Sequence, residues 1–226
     1  MTRALTAYRV GRIRYADALR LQEQLREARA ADRIGDVLLL LEHDPVITLG
    51  RGAKSDQMLH APEELARLGF DVHETGRGGG ATYHGPGQVV GYPIVNLSPD
   101  REDVRRYVRD LEHTMIAVCA DFGIVAERID EKGLEGVWVG RNKIGAIGVR
   151  LANWITMHGF ALNVTTRLGD FGVIVPCGIR GRGVTSMEVE LETPPTQADV
   201  ELRLAVRLAE HLDRELVWRE GAPDVS

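Results

Sequence analysis

The sequence is poor in cysteine, in net positive charge and in long apolar runs. Only two cysteines, Cys119 and Cys177, occur among 226 residues, whereas disulfide-dependent secreted domains usually carry more. No apolar run approaches the roughly 20 residues of a membrane-spanning helix, and residues 1–10 lack the apolar core of a signal peptide. The formal net charge of −5 argues against nucleic-acid binding, which usually requires a strongly basic face. These absences predict a cytoplasmic protein with no membrane segment and no nucleic-acid partner.

The residues that are present favour an ordinary globular fold. Hydrophobic residues make up 44% of the chain and charged residues 27%, and we expect one catalytic domain over residues 1–226. Apolar residues at helical spacing predict helices over Tyr15–Ala30, from Pro62 to just before Gly69, over Pro99–Phe122 with Ser98 as cap, and over about Ala198–Leu216.

Short apolar runs predict the strands of the same fold. They cover residues 36–41, 46–49, 70–74, 136–140, 143–150 and 154–164, the last two forming a hairpin. Several strands follow one another without an intervening helix, which indicates antiparallel or mixed pairing. The predicted class is α+β, with a mixed β-sheet core and flanking helices.

The first stretch that indicates chemistry is glycine-rich. Residues 76–88 read GRGGGATYHGPGQ. Successive glycines let the backbone approach a ligand closely and direct N–H groups at an anion or a carbonyl oxygen. No Gly-Lys-Ser/Thr follows, so the stretch is not a P-loop, and the strand–helix context of a dinucleotide site is absent. A purely structural turn remains the alternative to a binding loop.

The second stretch, residues 140–150, reads GRNKIGAIGVR. Lys143 is the only charge between Arg141 and Arg150. Such a lysine either lies on a solvated strand face or is buried against a ligand, where loss of water favours the neutral amine. Residues 157–163, MHGFALN, would pair beside it, although His158 alone does not indicate a site.

The third stretch, residues 173–186, reads VIVPCGIRGRGVTS. It places Cys177 between a proline and a glycine, as in an accessible turn, whereas Cys119 lies on the apolar face of a predicted helix. A nucleophilic cysteine reacts as the thiolate, which a neighbouring cation stabilises. From the residues alone, Lys143, Arg180 and Arg182 all remain candidates for that cation.

Together these stretches resemble the lipoyl(octanoyl) transferases, the octanoyl-[acyl-carrier-protein]:protein N-octanoyltransferases of lipoate biosynthesis. The matching segments follow the family's order and cover about a quarter of the chain. They are RGGGATYHGPGQ at 77–88, KIGAIG at 143–148, HGFALN at 158–163, PCGI at 176–179 and GVTS at 183–186.

The resemblance implies the fold of the biotin and lipoate protein ligases and the roles of individual residues. Cys177 would carry the acyl group as a thioester, and Lys143 would tune the pKa of its thiol. The acyl pocket would be lined by Arg77, Gly78, Gly79, Gly80, Ala81, Thr82, Tyr83, His84, Ala146, Ile147, Gly148, His158, Gly159 and Phe160.

The resemblance also implies the reaction and its partners. The donor would be octanoyl-acyl carrier protein. The acceptors would be lysines of lipoyl domains in 2-oxoacid dehydrogenase complexes and of the glycine cleavage H protein. Lys143 is the expected acceptor of the lysine's proton, with His84 and His158 as alternatives. No cofactor, metal or ATP is expected, because the thioester already holds the energy of transfer.

Two other functions and one surface remain to be tested. The first alternative is an ATP-dependent lipoate-protein ligase on the same fold, and the second is a non-catalytic module that binds acyl groups or carrier proteins. Because acyl carrier proteins are acidic, we also predict a basic rim around the site, formed by Arg141, Arg150, Arg180 and Arg182.

Overall fold

The computed structural model describes residues 3–54, 57–131, 133–174 and 182–224. Within these residues a mixed sheet of nine strands forms the centre of the fold. Its strands are β1 (Arg3–Ile13), β2 (Asp36–His43), β6 (Gln88–Ile94), β7 (Glu127–Arg128), β8 (Val137–Val139), β9 (Asn142–Ala152), β10 (Ile155–Asn163), β11 (Gly183–Val184) and β12 (Arg214–Glu220). A second, three-stranded sheet comprises β3 (Val46–Leu49), β4 (Asp71–Glu74) and β5 (Ala81–His84).

The large sheet combines parallel and antiparallel pairs. Its order is β12-β1-β2-β6-β10-β9-β8-β7, and β11 pairs with β9 beside this path. The pairs β12–β1, β1–β2 and β9–β11 are parallel, whereas β2–β6, β6–β10, β10–β9 and β9–β8 are antiparallel. In the small sheet β3 lies between β4 and β5.

The described helices are α1 (Tyr15–Ala30), α2 (Pro62–Arg67), α3 (Val104–Asp121), α4 (Met187–Glu190) and α5 (Gln197–His211), together with a 3₁₀ helix over Leu168–Val173. Helices α3 and α5 cover one face of the large sheet and α1 covers the other, whereas α2 packs against the small sheet. No helix in the described ranges is long and apolar enough to cross a membrane.

Strand β2 shows why both faces are covered. Leu38 and Leu40 pack with α3 and α5, whereas Leu39 and Leu41 pack with α1. Side chains of a strand alternate between faces, so a run of four leucines must be buried on both sides. The same burial extends to Cys119, which is fully enclosed in the core on the α3 side.

Much of the predicted element order is confirmed. Helix α1 and strand β3 have the predicted bounds, and β9 and β10 form the predicted hairpin, in which Ala152 pairs with Ile155. Thr196 caps α5 by accepting a hydrogen bond from the Asp199 N–H. The predicted α+β class with a mixed sheet and flanking helices is also confirmed.

The predicted start of the long helix is wrong. Helix α3 begins at Val104 rather than Pro99, and Asp103 rather than Ser98 is its cap. The Asp103 carboxylate accepts the backbone N–H groups of Arg105 and Arg106. A helix begins where a side chain satisfies its first free N–H groups, which here occurs five residues later than the proline suggested.

The predicted C-terminal helix is too long. It ends at His211, and Arg214–Glu220 forms β12, which pairs in parallel with β1. Asp213 turns the chain with φ of 54°, a conformation that interrupts a right-handed helix. Strand β1 was not predicted either, because its partners β2 and β12 are distant in the sequence and leave no local signal.

Candidate active site

A cavity opens between α1, the glycine-rich segment 76–80 and strands β5, β9 and β10; we call it the main cavity. All the predicted substrate-binding residues except Gly78 and Tyr83 line it, and so does Lys143. The structure therefore brings together three segments that are far apart in sequence. Its described lining comprises Tyr15, Arg77, Gly79, Gly80, Ala81, Thr82, His84, Tyr92, Lys143, Ala146, Ile147, Gly148, His158, Gly159, Phe160 and Ala161.

Glycines of the hairpin create space in the wall of the main cavity. Gly148 on β9 is the register partner of Gly159 on β10, so neither strand presents a side chain at this point. The small side chains of Ala146 and Ala161, which are also register partners, widen the opening. A Cβ at Gly148 would lie 2.9 Å from Arg77 Cδ, too close for ordinary packing. Glycine is therefore required here so that the Arg77 side chain can cross the strand.

Hydrogen bonds within the protein hold the glycine-rich segment in place. The Gly78 N–H donates to Val149 O at 2.9 Å, and the Gly52 N–H donates to Gly79 O at 3.0 Å. The Ala81 N–H donates to Gln57 Oε1 at 2.9 Å. The Gly78 and Ala81 N–H groups are thus used for structure, and they do not face a ligand as the glycine pattern alone suggested.

Arg77 joins the glycine-rich segment to the small sheet. Its Nη2 donates to Thr48 O at 2.6 Å and to Thr48 Oγ1 at 2.8 Å, and its Nη1 donates to Gly78 O at 3.0 Å. The guanidinium is buried, so these bonds stabilise a charge that would be costly to bury without partners. Arg77 therefore shapes the main cavity as well as lining it.

Tyr83 lies outside the lining of the main cavity. Its hydroxyl donates to Asp170 Oδ2 at 2.9 Å, and its ring contacts Phe70 and Phe171 edge to face. Successive residues of a strand face opposite sides, so Thr82 lines the main cavity while Tyr83 packs in the apolar cluster behind β5. Gly78 is also absent from the described lining.

Lys143 is buried, which excludes the solvated strand face as its position. Its side chain is enclosed between β9 and the loop before β8, and Nζ donates to Glu135 O at 3.0 Å. Nζ also lies 4.7 Å from the centroid of the Trp138 ring, within the range of a cation–π interaction. Lys143 therefore does not lie on a solvated strand face.

A second cavity adjoins the main cavity and shares Thr82, Lys143, Ala146 and Ala161 with it. Ile174 and Arg182 also line this second cavity. The segment between them, residues 175–181, includes Cys177 and Arg180 and lies outside the described residues. Among the described residues, Lys143 is thus the one charged side chain that lines both cavities, since Arg77 lines only the main cavity and Arg182 only the second.

The two predicted histidines are both neutral near pH 7. Burial lowers the pKa of His84 to about 3, and nearby His43 adds to the effect. Burial, with the charges of Arg77 and Arg150, lowers the pKa of His158 to about 4. A group that resists protonation this strongly is a poor carrier of a proton. It can still accept a hydrogen bond.

Sequence reasoning missed a cluster of aromatic side chains at this site. Tyr15 and Tyr92 line the main cavity, and His43 Nε2 lies 2.8 Å from the Tyr92 hydroxyl. Because His43 Nδ1 faces the carbonyl of Ile13 at 2.9 Å, Nδ1 carries the proton and Nε2 accepts from Tyr92. The one available signal was a tyrosine within the apolar strand QVVGYPI, since a buried tyrosine hydroxyl needs a partner.

Comparison with known proteins shows which family this chain resembles. The model of the lipoyl protein ligase A/B catalytic domain matches residues 14–209. Octanoyltransferase of Acidobacterium capsulatum is 46% identical over 236 residues, which cover 98% of this chain and 95% of the relative. That of Chloroflexus aggregans is 50% identical over 214 residues, covering 93% and 96%.

The chain belongs to the octanoyltransferases of the lipoyl protein ligase A/B family. The predicted resemblance and the predicted class of enzyme, an acyltransferase, are confirmed. Octanoyltransferase of Myxococcus xanthus is also 50% identical over 219 residues, and there the chain spans 61% of the relative's length.

Solved structures confirm the ligase-like fold of this family member. Lipoate-protein ligase A bound with ATP superposes with a TM-score of 0.78 at 16% identity, covering 97% of this chain and 89% of that one. Biotin protein ligase from Aquifex aeolicus gives 0.53 at 13% identity, covering 92% and 68%. At identities this low, the superpositions show a shared fold and give no evidence about the reaction.

The predicted basic rim of this octanoyltransferase is divided in space. Arg141 precedes β9, and Arg182 precedes β11, which pairs with β9 at Asn142 and Lys143. Arg150 lies near the other end of β9, about 23 Å from Lys143 along an extended strand, where its side chain packs against Gly76. Arg150 is therefore not part of a rim around Lys143. No cluster of three or more potential metal-binding side chains occurs within the described ranges.

Proposed function

We propose that this chain transfers an octanoyl group from octanoyl-acyl carrier protein to a lysine of a lipoyl domain, through a thioester on Cys177. The observation that carries the proposal is the position of Lys143. This buried lysine lies in the wall of a cavity that the predicted acyl-binding residues line. Membership of the octanoyltransferases supports the choice of acyl group.

The main cavity suits an unbranched acyl chain. Gly148, Gly159, Ala146 and Ala161 give it a narrow wall with small side chains, and Phe160 adds an apolar surface. Each CH₂ group moved there from water contributes about 0.8 kcal/mol. An octanoyl chain therefore gains several kcal/mol of binding free energy, and that gain holds its carbonyl carbon near the end of the cavity.

Sequence position supports pairing Cys177 with Lys143 in this reaction. Cys177 follows Ile174 by three positions, and Ile174 lines the second cavity together with Lys143. An ammonium near a cysteine favours the thiolate, which is the reactive nucleophile.

Two acyl transfers complete the reaction, and Lys143 carries one proton between them. In the first, the Cys177 thiolate attacks the thioester carbon, the bond to the donor sulfur breaks, and the departing sulfur takes a proton from the Lys143 ammonium. In the second, the acceptor amine forms the C–N bond and the C–S bond to Cys177 breaks. The electron pair returns to sulfur, and the proton lost by the amine returns to Lys143.

The proposed donor and acceptors are those that the family resemblance implies. The donor presents octanoate as a thioester on acyl carrier protein. The acceptors are lysines of lipoyl domains in 2-oxoacid dehydrogenase complexes and of the glycine cleavage H protein. We place the reaction in the cytoplasm, where thiols stay reduced, and assign it to a single catalytic domain over residues 1–226.

Intact-protein mass spectrometry tests the proposal. The protein and its Cys177→Ala variant are mixed with octanoyl-acyl carrier protein without ATP, with Cys119→Ala as the matched control. We expect an added octanoyl mass on the wild type and on Cys119→Ala, removed when a lipoyl domain is added. Absence of the adduct from the wild type, or its presence on Cys177→Ala, would overturn the proposal. Product formation only with ATP would instead indicate a lipoate-protein ligase.

A further inference from the structure

A chain of hydrogen bonds connects the main cavity to the strand that carries Lys143. His84 Nδ1 lies 2.7 Å from Gln88 Oε1, and Gln88 Nε2 donates to Asn163 Oδ1 at 2.9 Å. Asn163 Nδ2 then donates to Thr185 O at 2.9 Å. We call these four residues the relay. The Thr185 N–H continues it to Lys143 O, also at 2.9 Å.

The backbone fixes the direction of every bond in the relay. A carbonyl oxygen accepts and never donates, so the Asn163 group that faces Thr185 O is its NH₂ and the group that faces Gln88 is its oxygen. The Gln88 group near Asn163 Oδ1 must then be an NH₂, and it also lies 3.3 Å from the carbonyl oxygen of Tyr83. Gln88 consequently presents its oxygen to His84.

This arrangement selects one tautomer of His84. The nitrogen that faces Gln88 Oε1 must donate, so Nδ1 carries the proton and Nε2 of the neutral ring keeps its lone pair. His84 lines the main cavity, and its Nε2 makes no hydrogen bond to any described residue. A ring that burial keeps neutral thus offers a hydrogen-bond acceptor at a fixed place in the cavity.

We propose that Gln88 and Asn163 are positioning residues that hold His84 as the Nδ1–H tautomer, so that Nε2 accepts a hydrogen bond from the attacking amine. This inference rests on the proposed function, because it assigns His84 a part in the second acyl transfer. A neutral amine has two N–H groups and one lone pair. When one N–H donates to Nε2, rotation of the amine is restricted and its lone pair points toward the thioester carbon. Lys143 still receives the proton that the amine releases.

The proposal separates the two halves of the reaction. No amine takes part in the first half of the reaction, in which Cys177 attacks the donor thioester. Loss of the Nδ1–H tautomer of His84 therefore leaves the rate of Cys177 acylation unchanged. The second half loses one oriented hydrogen bond, which corresponds to a rate about 10- to 100-fold lower. If the relay had only a structural role, substitutions in it would slow both halves of the reaction together.

Nitrogen NMR of the imidazole rings tests the tautomer directly. The signals of His84 are assigned by their absence from His84→Gln. We expect Nδ1 protonated and Nε2 unprotonated in the wild type from pH 5 to pH 8, and a mixture of tautomers in Gln88→Met and Asn163→Asp. A proton on Nε2 in the wild type would overturn the proposal, whether or not any variant folds.

Single-turnover kinetics test the consequence. Acylation of Cys177 and transfer to a lipoyl domain are timed separately in Gln88→Met and Asn163→Asp. Gln24→Met and Asn153→Asp are matched controls, because both side chains are exposed. We expect only the transfer step to slow, and only in the relay variants. An unchanged transfer rate in a variant with an altered tautomer refutes the positioning role, whereas failure to acylate the wild type refutes the proposed function instead.

Discussion

Lys143 lies against the face of Trp138, with Nζ 4.7 Å from the ring centroid. The indole is itself held by its Nε1–H, which donates to Leu134 O at 2.9 Å. The guanidinium of Arg182 lies 5.0 Å from the same ring. One buried aromatic side chain thus holds two cations where the main and second cavities meet, and an anionic sulfur or a developing oxyanion there would be stabilised electrostatically.

Lys143 should not be replaceable by another side chain of similar length. We expect Lys143→Met to lower the rate of Cys177 acylation by at least about 100-fold, because it removes the cation and the proton carrier. Lys143→Arg should not restore the rate, since a planar guanidinium neither fits the ammonium site nor gives up a proton. Stopped-flow or quenched-flow acylation assays measure both.

The control for the Lys143 substitutions is Lys54→Met, which changes an exposed lysine. Its acylation rate should match the wild type. A Lys143→Met protein that retains the wild-type rate would refute the proton-transfer role.

Arg141 and Arg182 should contribute more than Arg150 to docking of the acidic carrier protein. We expect Arg141→Gln and Arg182→Gln each to raise the KM for octanoyl-acyl carrier protein by about 3- to 10-fold at low salt. The effect should shrink at high salt, where exposed charges are screened beyond about 3 Å at 1 M. Steady-state assays at two ionic strengths measure the change.

Arg150→Gln is the matched control, because Arg150 lies near the opposite end of β9 from Lys143. An equal rise in KM for all three variants would contradict a local rim and indicate a general effect of net charge.

Gly91 should be essential to packing of the sheet. A Cβ at this position would collide with the ring of Phe160, which is itself buried. We expect Gly91→Ala to lower the free energy of unfolding by about 1–3 kcal/mol, measured by urea denaturation. Gly35→Ala is the control, because a Cβ at Gly35 meets no atom within 4 Å. A Gly91→Ala protein as stable as the control would show that Phe160 moves away without cost.

The sequence predicted the local features of this fold and site better than the distant ones. The hairpin of β9 and β10 was predicted because its strands are adjacent in the chain and their glycines and alanines form a readable pattern. Strand β12 was not, because its partner β1 lies about 200 positions away and its residues continue a helical pattern. Tyr15 and Gln22 also gave no signal: they read as part of an amphipathic helix, yet Tyr15 lines the main cavity and Gln22 accepts the His158 N–H.

Buried histidines should make the protein sensitive to acid. In the native state the pKa is lowered to about 4 for His43, about 3 for His84 and about 4 for His158, mainly by burial, from an ordinary value of 6.5. Above pH 6.5 these rings are neutral in both states and do not change stability. Between about pH 6.5 and 4 the unfolded chain takes up protons that the native protein does not. The free energy of unfolding therefore decreases as the pH is lowered through this range, by about 1.4 kcal/mol per pH unit for each histidine.

Urea unfolding at pH 8, 7, 6 and 5 measures this dependence. We expect constant stability from these groups between pH 8 and 7 and a steep loss between pH 6 and 5. His84→Gln should reduce the slope between pH 6 and 5 by about one third, because one of three rings no longer titrates in the unfolded state. A stability that stays level down to pH 5 would mean that the native protein admits protons to these rings. In that case the neutral His84 on which the relay depends would not exist at acidic pH.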